Sequence, residues 1–287
     1  MSFTLHDAAL LLQQGGVVAF PTETVYGLGA NALDVGAVRR IYELKGRPAT
    51  SPLIVHVSGI EMARALSSAW PAKAEELALQ HWPGPLTLVV PKAAIVPDEV
   101  TAGLGTVGLR MPRHPIALEL IRTAGLPLAA PSANKFTELS PTTAAHVRAA
   151  FGDSVPVLDG GPCAVGLEST VVAVDADGSV RLLRPGMLTL TEAIGGAAKE
   201  HESPGMHHKH YSPRTARVVL VDKPVDAPPQ AVLLQLSEDP EVCAAQLYSK
   251  LHDLDVQGVK LIAIAIPRDP DPRWDAVRDR LRRAASI

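Results

Sequence analysis

Gly15-Gly16-Val17-Val18-Ala19-Phe20-Pro21-Thr22-Glu23-Thr24-Val25-Tyr26-Gly27-Leu28-Gly29 reads as a helix stop, a short strand and a polar loop. Ahead of it, Leu5, Ala8, Ala9, Leu11 and Leu12 recur at helical spacing over residues 4–14, and the glycine pair ends that helix. Val17 to Phe20 is a β-type run closed by Pro21. Hydroxyls and an acid then follow at the strand's carboxyl end, where α/β proteins bind ligands. Taken alone, the loop reads equally well as an ordinary polar turn.

Outward from this stretch the alternation continues, irregularly. Asp34 is placed to cap a helix running through Lys45, with Val35, Val38, Ile41 and Tyr42 on one face. Strands are expected at 53–57, 86–90, 107–109, 128–130, 155–158, 170–174 and 180–183. Helices are expected at 60–68, 72–81, 115–124 and 142–150, and Thr189 with Glu192 forms a capping box for one more. The hairpin-like pair 170–174 and 180–183 argues for a mixed sheet. Residues 196–215 are polar and aperiodic and read as a linker. Beyond them the pattern is strand 217–221, strand 231–236, helix 240–255, strand 259–266 and helix 273–285, a small α/β domain with a right-handed crossover. The expected organisation is a first domain over 1–195, a linker over 196–215 and a second domain over 216–287.

The chain has 287 residues, enough for one large domain or two ordinary ones. Apolar residues make up 47% and aromatics only 4%, so Ala, Val, Leu and Ile must fill the core. A net charge of −3 argues against a surface that is one nucleic-acid footprint, but leaves room for a local basic groove. Cys163 and Cys243 form neither a disulfide framework nor a zinc spacing, which suits a reducing cytosol. The first residues lack a signal-peptide pattern, and no apolar run approaches the ~20 residues of a membrane span. The expected setting is cytoplasmic, with no membrane partner.

Several clusters carry candidate chemistry. Lys45-Gly46-Arg47-Pro48 lies where a helix ends and the chain turns. Two cations there either balance the helix dipole or bind phosphate, Arg as a planar fork and Lys as a point charge. Pro131-Ser132-Ala133-Asn134 follows a strand, and Ser140-Pro141-Thr142-Thr143 opens a helix; helix caps and anion sites overlap at such places. Gly103-Leu104-Gly105-Thr106-Val107-Gly108 matches a dinucleotide fingerprint, but no strand precedes it and Pro112 and Pro115 block the helix that should follow. His207-His208-Lys209-His210 lacks partners at a metal-binding spacing. Arg278, Arg280, Arg282 and Arg283 read as a solvated helix face, with RNA binding as a weaker use. Lys45, Arg47, Arg110 and Arg184, among hydroxyl-rich loops, suit a polyanion such as a nucleoside triphosphate.

With these residues in view, the chain resembles the YrdC-like threonylcarbamoyl-AMP synthase family. The resemblance is carried by residues 15–29, Lys45-Gly46-Arg47-Pro48, Pro52-Leu53-Ile54-Val55-His56-Val57, Trp82-Pro83-Gly84-Pro85-Leu86-Thr87, Arg110-Met111-Pro112, Pro131-Ser132-Ala133-Asn134, Gly166-Leu167-Glu168-Ser169-Thr170-Val171-Val172 and Leu183-Arg184-Pro185-Gly186. Ser203-Pro204-Gly205-Met206-His207-His208-Lys209-His210-Tyr211-Ser212-Pro213 is similar to the linker of the two-domain members. The resemblance implies a twisted mixed-sheet catalytic domain, plus a small Rossmann-like α/β domain at the C-terminus. It also implies the synthesis of threonylcarbamoyl-AMP and pyrophosphate from L-threonine, bicarbonate and ATP, for a downstream transferase that modifies tRNA.

By the same resemblance, Thr24, His56, Arg110, Ala130 (through its main chain) and Thr170 contact threonine. Lys45, Arg47, Ser51, Thr106, Ser132, Asn134, Ser140, Arg184 and Tyr211 contact ATP, with Lys45 and Arg47 central to catalysis and Mg2+ held mainly by the phosphates. Two other functions stay open: a carbamoyl-adenylate-forming transferase acting on another substrate, and a non-catalytic RNA-binding protein. The chain departs from the family after Asn134, where Lys135-Phe136-Thr137-Glu138-Leu139 replaces a small Ser-Gly pair.

Overall fold

A computed structural model describes residues 3–191, 193–195 and 211–285. The cluster His207 to His210 and most of the expected linker lie outside the described residues. Among those described, one mixed sheet holds β1 (Val18–Phe20), β2 (Gly27–Asn31), β3 (Ile54–His56), β4 (Leu86–Pro91), β5 (Thr106–Arg110), β6 (Leu128–Ala129), β7 (Thr170–Val174), β8 (Val180–Arg184) and β9 (Ile194–Gly195). Their order is β1-β2-β6-β3-β5-β4-β7-β8-β9. β3 with β5, β4 with β7 and β8 with β9 run parallel, and the other neighbours antiparallel.

The helices follow their sequence signals closely. α1 (Leu5–Gln13) opens with a reciprocal Thr4–Asp7 capping box. α2 (Val35–Lys45) is capped by Asp34 and stopped by Gly46 at φ 62°. α3 (Ile60–Ala65), α4 (Ala72–His81), α5 (Asp98–Thr101), α6 (Pro115–Ala124) and α7 (Ala144–Phe151) complete the first unit. α1 and α6 share one apolar cluster beside β1, while α2, α4 and α7 share the larger one.

Three expectations are corrected. Residues 155–158 are not a strand: only an isolated bridge joins Ala19 to Val157, and Pro156, which has no N–H to donate, serves there only as an acceptor. Among the described residues no helix opens at Thr189; Glu192 lies outside them. Ile194–Gly195 instead adds to the edge of β8, which offers unpaired backbone, and a glycine there disfavours a helix. Gly27 to Gly29 belong to β2 rather than to a loop. Glycine is required at position 29, because a Cβ would stand 2.5 Å from the Phe20 ring.

The second unit has parallel strands β10 (Arg217–Val221), β11 (Val232–Leu233) and β12 (Leu261–Ala265) in the order β10-β12-β11. α8 (Pro240–Val256) and α9 (Trp274–Ala285) pack on them. Here the reading of the arginine run fails. Arg280 lies on the buried stripe of α9 with Trp274, Val277, Leu281 and Ala284. Arg278 and Arg283 pair with Asp275 and Asp279 of the same helix.

The two units share a core in which Val25, Leu139 and Leu167 of the first meet Leu247, Tyr248 and Leu281 of the second. Gly166, at φ 78°, touches α8 so closely that a Cβ would lie 2.4 Å from the Ala244 carbonyl oxygen. Among the described residues no helix is long and apolar enough to cross a membrane.

Candidate active site

Gly46 decides the first corner. Its left-handed conformation ends α2 with bonds from the Gly46 N–H to the Glu43 carbonyl and from the Arg47 N–H to the Tyr42 carbonyl. The turn drives Lys45 and Arg47 inward, and both are buried. Lys45 Nζ donates to the carbonyls of Ser132 (2.6 Å) and Asn134. Burial, and then Arg47, holds its ammonium well below the usual lysine value. Arg47 donates to Ser51 Oγ (2.7 Å) and the Pro52 carbonyl (3.1 Å), while its Nε has no hydrogen-bond partner among the described residues. Burial lowers its pKa to about 10. The departing loop after Asn134 closes the end of α2: the Phe136 N–H and Lys135 Nζ bond the carbonyls of Lys45 and Leu44, the last of that helix.

The second corner comes from adjacent strand ends. β3 and β5 are parallel, and their register sets His56 beside Arg110. Arg110 pairs with Glu23 (2.7 Å) and donates to Thr24 Oγ1 (2.9 Å) and the Gly84 carbonyl (3.3 Å). Burial would raise the Glu23 pKa, but the Arg110 charge reverses this and keeps the carboxyl below its usual value. Thr22 Oγ1 accepts the Thr24 and Val25 amides and fixes the turn. His56, edge-on to Phe20, is held neutral by burial and then by Arg110, its pKa falling to about 3. Its Nδ1 has no hydrogen-bond partner among the described residues.

A third group closes the space between these corners. Arg184 donates to the Ser169 carbonyl (3.1 Å) and Oγ (3.2 Å). Glu168 accepts from Ser140 Oγ (2.6 Å), Tyr248 OH (3.2 Å) and Arg280 Nε (2.7 Å). Thr24, Arg47, His56, Arg110, Ala130, Ser132, Glu168, Ser169, Arg184 and Tyr211 line one cleft.

A family model described as "Telomere recombination" (Sua5_yciO_yrdC) matches residues 10–186. The chain belongs to the Sua5/YciO/YrdC family. A second model, described as "Threonylcarbamoyl-AMP synthase, C-terminal domain", matches residues 180–286 of this Sua5-family chain. A threonylcarbamoyl-AMP synthase of Pyrococcus abyssi is 47% identical over 233 residues, which are 76% of this chain and 68% of that one. One of Bacillus subtilis is 48% identical over 232 residues, 76% of this chain and 67% of that one. Among solved structures, Sua5 of P. abyssi complexed with L-threonine matches with a TM-score of 0.88 at 38% identity, covering 98% of this chain and 94% of that one.

In this Sua5-family cleft, eight residues singled out from the sequence come together: Thr24, Arg47, His56, Arg110, Ala130, Ser132, Arg184 and Tyr211. Lys45, Ser51, Asn134 and Ser140 stand one contact behind the lining. Two fall elsewhere. Thr106 begins β5, at the far end of the strand from Arg110, in a shallow adjoining hollow that shares Ile54 with the cleft. The Thr170 hydroxyl is engaged by the Leu188 carbonyl (2.6 Å). Sequence reasoning missed Glu23 as the partner of Arg110, and Glu168 and Tyr248 as site residues, and read Arg280 as a solvated charge. A charged residue on the apolar stripe of α9 was the available signal for Arg280.

Proposed function

We propose that this chain is a threonylcarbamoyl-AMP synthase, which makes threonylcarbamoyl-AMP and pyrophosphate from L-threonine, bicarbonate and magnesium–ATP. One observation carries the residue-level reading: a single cleft joins a corner formed by Arg110, Thr24 and His56 to one formed by the cations Arg47 and Arg184, with Lys45 behind its Ser132 wall. In the reaction the neutral amine of threonine takes up carbon dioxide derived from bicarbonate. A carbamate oxygen then attacks the α-phosphorus, and the bond to pyrophosphate breaks. Arg110 clamps the threonine carboxylate as a planar fork. His56, kept neutral, offers Nδ1 to a polar group of the amino acid.

Arg47, whose Nε has no partner among the described residues, and Arg184 meet the phosphates, while Lys45 braces the Ser132–Asn134 loop and adds a cation behind it. Catalysis then rests on positioning and on fixed positive charge in a site that excludes water. Neither thiol suits nucleophilic attack, because burial pushes Cys163 to about 12 and Cys243 to about 11. Glu23 and Glu168 are engaged by Arg110 and Arg280, so a magnesium ion would be held mainly through the ATP phosphates, where it would offset their charge. Tyr211, which lines the cleft, would face the nucleotide. A downstream transferase acting on tRNA, and a cytoplasmic setting, complete the proposal.

Mass spectrometry of the products tests the function: threonylcarbamoyl-AMP should form only with threonine, bicarbonate and ATP together, and its formation without threonine would overturn the proposal. A variant tests the amino-acid corner. Arg110→Ala should raise KM for threonine by roughly 10- to 100-fold, the loss of a charge-assisted pair, and leave KM for ATP within a few-fold. Steady-state kinetics check this; an unchanged threonine KM would remove Arg110 from the corner.

A further inference from the structure

We infer that Glu168 is a positioning residue through which the C-terminal unit sets the nucleotide corner, with Arg280 and Tyr248 as the residues that hold it. The inference rests on the function proposed above. Glu168 lines the cleft, yet two of its three side-chain donors come from the other unit: Arg280 from α9 and Tyr248 from α8. The third, Ser140, opens the segment that leads into α7. With these donors in place the carboxylate has a single orientation, and Ser140 is aligned by it.

Arg280 reaches three cleft-forming segments with one guanidinium. Nε binds Glu168, Nη2 donates to the Pro185 carbonyl (3.1 Å) next to Arg184, and the plane lies over the Tyr211 ring at 5.2 Å. Its Nη1 donates to Asp279 (2.6 Å). A buried guanidinium placed this way is unsuited to solvent and well suited to fixing a geometry.

Charge explains why the C-terminal unit must supply it. Glu168 is buried, and two cations, Arg280 first and Arg184 second, hold its carboxyl below the usual value against the cost of burial. If the Arg280 charge is removed, Arg184 is the next cation facing that carboxylate. Arg184 is then drawn towards Glu168, away from Ser169 and from the phosphates it is placed to meet. Arg280 thus keeps Arg184 seated on Ser169 at the nucleotide corner, although it touches no substrate itself.

The test uses the full chain and two readouts: equilibrium binding of a non-hydrolysable ATP analogue, and steady-state pyrophosphate release at varied ATP and threonine. Arg280→Met should weaken analogue binding and raise KM for ATP by roughly 10-fold or more, with threonine KM nearly unchanged. In Arg280→Met/Glu168→Gln the acid no longer attracts Arg184, so nucleotide affinity should return to within a few-fold of wild type. Tyr248→Phe, which removes one hydroxyl and no charge, should shift ATP KM in the same direction by roughly 3-fold; it decides the matter if Arg280→Met does not fold. Unchanged nucleotide binding in a folded Arg280→Met or in Tyr248→Phe, or a double variant whose losses simply add, would overturn the inference. Absence of threonine-dependent pyrophosphate release by the wild type would instead overturn the proposed function, which the binding comparison among variants does not measure.

Discussion

In the Arg47→Ala variant, threonine-dependent pyrophosphate release should fall by roughly 10²- to 10³-fold, the loss expected when a preorganised donor to developing oxyanion charge is removed. The fold should survive. Arg47 is buried at the end of α2 near Lys45 and Arg184, and its lowered pKa reports a charge that the folded state accommodates at a cost. Its two side-chain bonds, to Ser51 and the Pro52 carbonyl, order one short loop and cross no domain boundary. Deleting the guanidinium therefore relieves like-charge crowding as well as removing two bonds. The melting temperature should stay within a few degrees of wild type, or rise, the usual exchange of stability for activity at a functional site. Circular dichroism and the pyrophosphate assay on the same preparation check both halves. Near-normal turnover in a folded variant would take Arg47 out of the phosphate corner.

The second large effect is expected at a residue with no side chain. In Gly166→Ala the new Cβ would stand 2.4 Å from the Ala244 carbonyl oxygen and 2.6 Å from Ala245 Cα, both backbone atoms of α8. Neither can rotate aside, and the positive φ adds roughly 1 kcal/mol of strain for any L side chain. The C-terminal unit must then lift from the 163–168 segment, taking Arg280 and Tyr248 away from Glu168. A displacement of about 1 Å in a positioning group lowers rates by roughly 100-fold, so activity should fall on that scale. The large sheet keeps its own core, and thermal unfolding should split into two transitions. A single wild-type transition with full activity would mean that this close approach does not govern docking.

Local chemistry made the two cation corners legible. Lys45-Gly46-Arg47 contains its own turn, and Arg110 and His56 sit at strand ends that two β-type runs mark clearly. What escaped lies in long-range pairing. Glu168 and Arg280 are 112 residues apart in the chain, and among Arg278, Arg282 and Arg283 the buried arginine looks like one more solvated charge. Only its place on the apolar stripe of α9 separates it. β2 was hidden by its glycines, which read as loop residues until the Phe20 ring is seen to need the space. Residues 155–158 have β composition, but Pro156 limits them to a bridge. The family resemblance located most cleft residues, while the Thr170 hydroxyl is engaged elsewhere and Thr106 stands in the neighbouring hollow.

The central claim is that one cleft activates threonine as a carbamoylated adenylate. Its most direct test is the release of pyrophosphate from ATP by the purified full-length chain, with threonine and bicarbonate each omitted in turn. Release at full rate is expected only when both are present, with one pyrophosphate for each threonylcarbamoyl-AMP formed. Release that continues at the same rate without threonine, or without bicarbonate, would contradict it.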